Sequence, residues 1–345
     1  MKNYFYGKLK SCGLVLVLCV SNLFFNVCFS QPFYLPTPNT EIFNWRNPEK
    51  YYVPTPGKNW ESGTFGCVRS DGYQMHEGID IKCVQRDKMG HPVDPIYATA
   101  DGVVVYINNK PSLSNYGRYI VIRHVIDGIE IYSLYAHLSK VSDTLKEGTP
   151  VKAGDIIGIM GTTANTRQKI SLERAHLHFE LNLFINDKFS WWFKARYPNE
   201  RNDHGVWNGL NLFGIDPRLL FITQQKQGKQ FNLVNFIKNQ NELCAVFVRK
   251  TDFSYLKRYF ALVEKNPLVE KEGVAGYEIS LNYNGLPIKL IPRAPSETKG
   301  FASVQLLRVN PEEQKNNPAR RLILHNSLGW QLSNTGLSLI ELLTY

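Results

Sequence analysis

Ala175-His176-Leu177-His178-Phe179-Glu180 alternates strictly between apolar and polar positions. On a β-strand the side-chain period is two, so His176 and His178 share one face while Leu177 and Phe179 turn to an apolar one. Two neighbouring imidazoles on a sheet can reach one metal ion. Taken alone, the pair reads first as two exposed polar residues on a half-buried strand, so its meaning depends on its surroundings.

Those surroundings are β-like. Short apolar runs at 96–107, 118–125, 129–137, 150–160 and 175–184 are punctuated by Gly102, Gly117, Gly128, Gly148, Gly154, Gly158 and Gly161. Strands at this spacing without intervening helices predict an antiparallel, mainly β domain. The segment 31–60, rich in proline, asparagine and tyrosine, reads as an extended arm lying on that domain. A polar and aromatic stretch at 187–212, with Trp191, Trp192 and Trp207, reads as a long inserted loop before Ile215-Asp216-Pro217. Its tryptophans either wall a groove or pack against the C-terminal domain. From 221 to 345 the pattern is mixed, with a helical stretch at 253–264 and strand-like runs at 244–249, 277–283, 287–291 and 304–309. The expected organisation is a β domain over 61–220 followed by a smaller α+β domain over 221–345.

Export is the reading of the first thirty residues. Lys2, Lys8 and Lys10 precede an apolar run at 13–25, and Cys28-Phe29-Ser30 offers small residues for cleavage after Ser30. The formal charge is +10, and the leader's three lysines leave +7 on the mature chain. A cationic chain suits an anionic envelope polymer. No Lys/Arg run interleaved with aromatics points to nucleic acid, and no later segment approaches a membrane span. Cleavage leaves Cys67, Cys83 and Cys244. Either Cys67 and Cys83 are bridged or both are small buried thiols.

Two further motifs carry histidine. Met75-His76-Glu77-Gly78-Ile79-Asp80 nearly spells the helical zinc signature H-E-x-x-H, but its fifth position is Asp, and Gly78 with the following Ile-Asp-Ile favours a turn into a strand. Imidazole and carboxylate both ligate zinc, and three protein ligands with one open position is the layout of a catalytic site. His76, Asp80 and one histidine of the second pair supply three. Tyr135-Ala136-His137-Leu138 places a further imidazole at a strand end. His91, His204 and His325 carry no motif, and His124 reads as structural or as a support to the site.

These motifs, with Gly72, Tyr97-Ala98, Asp101-Gly102, Tyr116-Gly117, Ile122-Arg123-His124 and the glycines from 148 to 161, stand in the order found in lysostaphin/LytM-type zinc endopeptidases. The resemblance covers about residues 62–184. It implies a LytM-like fold, a zinc cofactor held by His76, Asp80 and His178, and His137 and His176 as catalytic groups beside the open position. It further implies an exported, periplasmic or envelope peptidase that cuts peptide cross-links of peptidoglycan with a metal-activated water. Relatives lacking the ligands act as amidase activators, so a silent regulator is the rival reading, and this chain lacks none of them. The segment 164–174 is longer and more charged than usual in such proteins, and 187–212 is additional, so the substrate preference is open. No nucleotide loop, nucleophile–base pair or metal cluster occurs in 221–345. That half is expected to contact the wall or a protein partner.

Overall fold

Runs of β-branched and aromatic residues between glycines form strands close to where the alternation places them. The computed structural model describes residues 31–165 and 170–345, so the expected export segment lies outside the described residues. In chain order the strands are β1 (Gly66–Arg69), β2 (Gln74–His76), β3 (Ile79–Lys82), β4 (Pro95–Tyr97), β5 (Gly102–Asn108) and β6 (Tyr119–Ile126). They continue with β7 (Ile129–Ala136), β8 (Lys140–Val141), β9 (Pro150–Val151), β10 (Ile156–Ile159), β11 (His176–Phe184) and β12 (Leu212–Ile215). The C-terminal half adds β13 (Cys244–Val248), β14 (Gly276–Leu281), β15 (Pro287–Arg293), β16 (Val304–Val309), β17 (Ile323–Asn326) and β18 (Gly329–Leu332). The helices that concern the site are α1 (Phe189–Arg196) and α2 (Pro217–Gln227).

The main sheet runs β12-β11-β7-β6-β5-β9. Strand β11 is its axis. One edge pairs with β7, and the other pairs with β3 over residues 176–179 and then with β12 over 181–184, all antiparallel. A three-stranded sheet, β4-β10-β8, packs beside it, and a second antiparallel sheet, β15-β14-β13-β16, lies in the C-terminal half. The fold is therefore an antiparallel β domain followed by an α+β region, as expected.

Every residue of β11 is buried, because both faces of the sheet are covered. Leu177, Phe179, Leu181 and Leu183 enter a large apolar core that includes Phe33 and Tyr52 of the arm, Leu220 and Phe221 of α2, and Val246 and Ile279 of the second sheet. The opposite face carries Tyr119, Leu134, Ala136 and Leu212, with Trp207 laid against them. Residues 31–345 form one compact unit. The main sheet and the C-terminal four-stranded sheet thus share one core.

Three expectations change in detail. Residues 187–212 are not a simple loop, because they contain α1, whose Phe189, Trp192 and Phe193 recur at helical spacing and are buried. The adjacent tryptophans part company: Trp192 joins the core while Trp191 is 69% exposed. The run at 150–160 divides into β9 and β10 around a turn in which Gly154 takes φ 87°, and the stretch at 253–264 divides into a short helix (Ser254–Arg258) and a 3-10 turn (Phe260–Leu262). Cys67, Cys83 and Cys244 are free thiols; Cys83 donates to Asp94 Oδ2 at 2.9 Å. Among the described residues, no helix is long and apolar enough to cross a membrane.

Candidate metal centre

Register places the first two groups. Asp80 of β3 stands directly opposite His178 of β11, and in an antiparallel pair opposed side chains share a face. His76 ends β2, and the chain then passes against β11 through Gly78, where a Cβ would lie 2.3 Å from the Phe179 carbonyl oxygen. Glycine at this position is what lets β2 and β3 approach β11 closely enough to bring His76 to the other two. Its Nε2 lies 3.1 Å from His178 Nδ1 and 3.2 Å from Asp80 Oδ1, and the third edge of the triangle, His178 Nδ1 to Asp80 Oδ1, is 3.0 Å.

The remaining ring nitrogens are committed elsewhere. His76 Nδ1 is 2.7 Å from the Thr64 carbonyl oxygen, so it carries the proton and leaves Nε2 as a lone pair. His178 is the mirror case: Nε2 donates to Glu180 Oε1 at 2.8 Å, leaving Nδ1 inward. Glu180 is itself fixed by the Tyr116 hydroxyl at 2.7 Å and the Asn182 amide at 2.8 Å. Asp80 turns Oδ1 inward while Oδ2 accepts from Arg69 at 2.7 Å. Three acceptor atoms thus converge with no donor hydrogen among them when all three groups are in their ordinary neutral-pH forms. Four-coordinate zinc with bonds of about 2.0–2.1 Å has ligand–ligand separations of roughly 3.3 Å, close to the triangle found. The outer carboxylate and carbonyl partners are the kind that orient ligating histidines.

Electrostatics agree with the geometry. Burial pushes the Asp80 carboxyl upward, but the charges of His76 and His176 and the hydrogen bonds of His178 and His76 outweigh it and hold it well below the usual carboxylate range. Burial lowers His178, yet its hydrogen bonds to Asp80 and Glu180, together with their charges, raise it to about 9. In the absence of a metal, a proton is what satisfies the triangle.

Two more imidazoles border it. His176 Nδ1 is tied to the Arg174 carbonyl oxygen at 2.6 Å, and its Nε2 comes within 3.7 Å of Asp80 Oδ1. His137 Nδ1 is tied to the Thr163 carbonyl oxygen at 2.8 Å, and its ring centroid lies 4.8 Å from that of His176. Burial lowers the pKa of both, His137 well below its ordinary value, with neighbouring imidazoles adding to the fall for each. His137 takes φ 64°, a left-handed conformation rare for a residue with a side chain, fixed by its backbone N–H on the Tyr116 carbonyl at 2.9 Å.

All five sequence-predicted residues line one cleft of about 1230 Å³. Sequence reasoning gave no role to Glu180, Tyr116 or Arg69, although the first two stand inside the quoted motifs. His204 also lines the cleft, with its Nδ1 2.8 Å from the Tyr106 hydroxyl. His124 does not. It is buried between the Asp101 carbonyl and the Ser133 hydroxyl, and burial lowers its pKa to about 4.

A sequence profile of Peptidase family M23 matches residues 74–188. Lipoprotein NlpD of Yersinia enterocolitica is 38% identical over 97 residues, which is 28% of this chain and 84% of that protein. The peptidoglycan DD-endopeptidase ShyA of Vibrio cholerae is 38% identical over 87 residues, 25% of this chain but 17% of that protein. Among solved structures, the catalytic domain of the antimicrobial peptidase lysostaphin from Staphylococcus simulans is 27% identical, covering 38% of this chain and 75% of that one, with a TM-score of 0.24.

Proposed function

The chain belongs to peptidase family M23, and from that membership and the site geometry we propose that it is an exported zinc metalloendopeptidase hydrolysing peptide cross-links of bacterial peptidoglycan. The observation that carries the reading is the triangle of inward acceptors on His76, Asp80 and His178, with edges of 3.0–3.2 Å and each group oriented from behind by a second partner. These three hold the ion. When bound, zinc supplies a Lewis acid that polarises the scissile carbonyl and makes water acidic enough to attack near neutral pH.

The side chains do the rest. His137 and His176, kept neutral by burial and with Nδ1–H pinned to backbone carbonyls, turn Nε2 toward the cleft. One Nε2 lone pair takes the proton of the attacking water, and the imidazolium N–H so formed faces the negative charge developing on the substrate oxygen before it passes the proton to the leaving amine; the other Nε2 accepts from the same water and orients it. Arg69 fixes Asp80, and the Tyr116–Glu180 pair fixes His178, so the ligands do not reorganise as charge moves. Export rests on the leader-like first thirty residues, and the envelope setting follows from the proposed substrate. Digestion of purified sacculi by the zinc-loaded protein, followed by mass analysis, tests the reading. Released peptides cut within cross-links support it; intact sacculi in the presence of zinc-loaded protein contradict it and point to a silent amidase-activating role.

A further inference from the structure

The family match ends at residue 188, yet the cleft does not. Ala319, Arg320, Arg321 and Thr335, from the C-terminal half, line it together with the histidines. Arg320 is built into place. Its Nε donates to Asn284 Oδ1 at 2.8 Å, and Asn284 is fully buried and donates in turn to the Gly214 carbonyl of β12 at 2.9 Å. The guanidinium carbon lies 6.0 Å from the centre of the Phe213 ring. Arg321 holds φ 50°, and its carbonyl oxygen accepts from the Ser333 hydroxyl. Such a conformation at a residue with a side chain persists where its surroundings impose it, and ligand clamps are one such place.

Among the described residues that line the cleft, the charges do not cancel. Arg69 is neutralised by Asp80 at 2.7 Å and Arg201 by Asp203 at 2.6 Å. Arg174 spends Nε and Nη2 on the uncharged Pro54 carbonyl, at 3.1 and 2.9 Å. Arg320 meets Glu77 at 3.5 Å, the limit of a hydrogen bond. The Arg321 guanidinium has no hydrogen-bond or ion-pair partner among the described residues. Positive charge is therefore left over beside the proposed metal centre, part of it on a guanidinium whose orientation is fixed.

We propose that Arg320 and Arg321 form a carboxylate-binding subsite, so that the C-terminal half selects peptides carrying a free carboxylate near the scissile bond. A guanidinium fork matches a carboxylate in two parallel hydrogen bonds, which a neutral amide cannot reproduce. The choice of a peptide as ligand rests on the peptidase reading, whereas the carboxylate preference rests on the arginines.

Equilibrium binding separates the two ideas. The full chain, zinc-loaded, is titrated with a fluorescent lysine-branched peptide bearing two free carboxylates and with its doubly amidated counterpart. Wild type is expected to bind the acid form about tenfold more tightly or better. Arg320→Ala/Arg321→Ala should erase that preference while retaining zinc, and Arg320→Lys should keep only part of it. Arg321→Ala, at an exposed position, should lower the preference even if the double variant fails to fold. Equal binding of the two peptides to wild type, or an unchanged preference in Arg321→Ala and the double variant, overturns the subsite. Neither result bears on whether wild type hydrolyses sacculi, which is the separate test of the peptidase reading.

Discussion

Two polar clusters, one on the main sheet and one on the C-terminal four-stranded sheet, are built on opposite terms. In the C-terminal sheet, buried Glu278 accepts from both Arg293 and Arg308, and each arginine has a second carboxylate, Glu297 at 2.8 Å and Glu242 at 2.7 Å. Donors and acceptors match, so the cluster is complete as it stands. In the main sheet, His76, Asp80 and His178 turn three acceptors on one another within 3.2 Å. An acceptor-only cluster needs a cation, whether a metal or a proton. The difference teaches how to separate a structural ion network from a ligand site. The test is whether the cluster closes on itself, since each is built around a buried carboxylate, Glu278 in one and Asp80 in the other.

The strongest test of that contrast is metal removal. Chelation should abolish hydrolysis completely, and zinc should restore it. With free zinc at about a thousand times its Kd, the folded chain should gain about 4 kcal/mol, read as a higher urea midpoint. The same titration with Glu278→Gln should give the same zinc response, because that cluster takes no part in it; a lost response would break the comparison.

Next in size come the bordering imidazoles. His137→Ala and His176→Ala should retain zinc and lose turnover by about 10²-fold or more, the usual cost of removing a proton-transfer or oxyanion group. Wild-type rates in either variant would remove that residue from the mechanism. Glu278→Ala should cost about 2–3 kcal/mol in folding stability, less than a fully buried pair, because both arginines keep other carboxylates and Arg308 is half exposed. Its zinc content should be unchanged.

The smallest effect is graded by pH. Metal-free His178 is raised to about 9 from an ordinary 6.5, so below about 9 a zinc ion must displace its proton. Zinc affinity should fall about tenfold per pH unit on lowering pH below that value and level off above it. The metal-free fold shows the converse: the stability from this proton is fully present below 6.5 and is lost as pH rises through about 9. Calorimetry in two buffers of different ionisation enthalpy reads the released proton. Proton-independent binding at pH 7 would mean that His178 carries no proton for the metal to displace.

Much of this site was legible because its chemistry lies on a strand of period two. His176 and His178 alternate with Leu177 and Phe179, and the H-x-x-x-D spacing spans one turn into β3. What the alternation cannot encode is which strand stands opposite, and the His178–Asp80 register joins residues 98 apart. The carbonyls of Thr64, Thr163 and Arg174 that set three tautomers leave no mark on side-chain patterns. The 187–212 segment was misread because its tryptophans draw attention as loop aromatics, whereas the 189, 192, 193 spacing of buried rings is helical. The reach of Arg320 into the cleft depends on Asn284 and Phe213, remote in sequence and silent in any motif.

The central claim, that the open triangle is a zinc site, is tested most directly by metal analysis of the purified full chain beside its His178→Ala variant. The account predicts about one zinc per wild-type chain and none retained by the variant, since three protein ligands are typical of a catalytic site. Full zinc occupancy in the variant, with its fold intact, would contradict it.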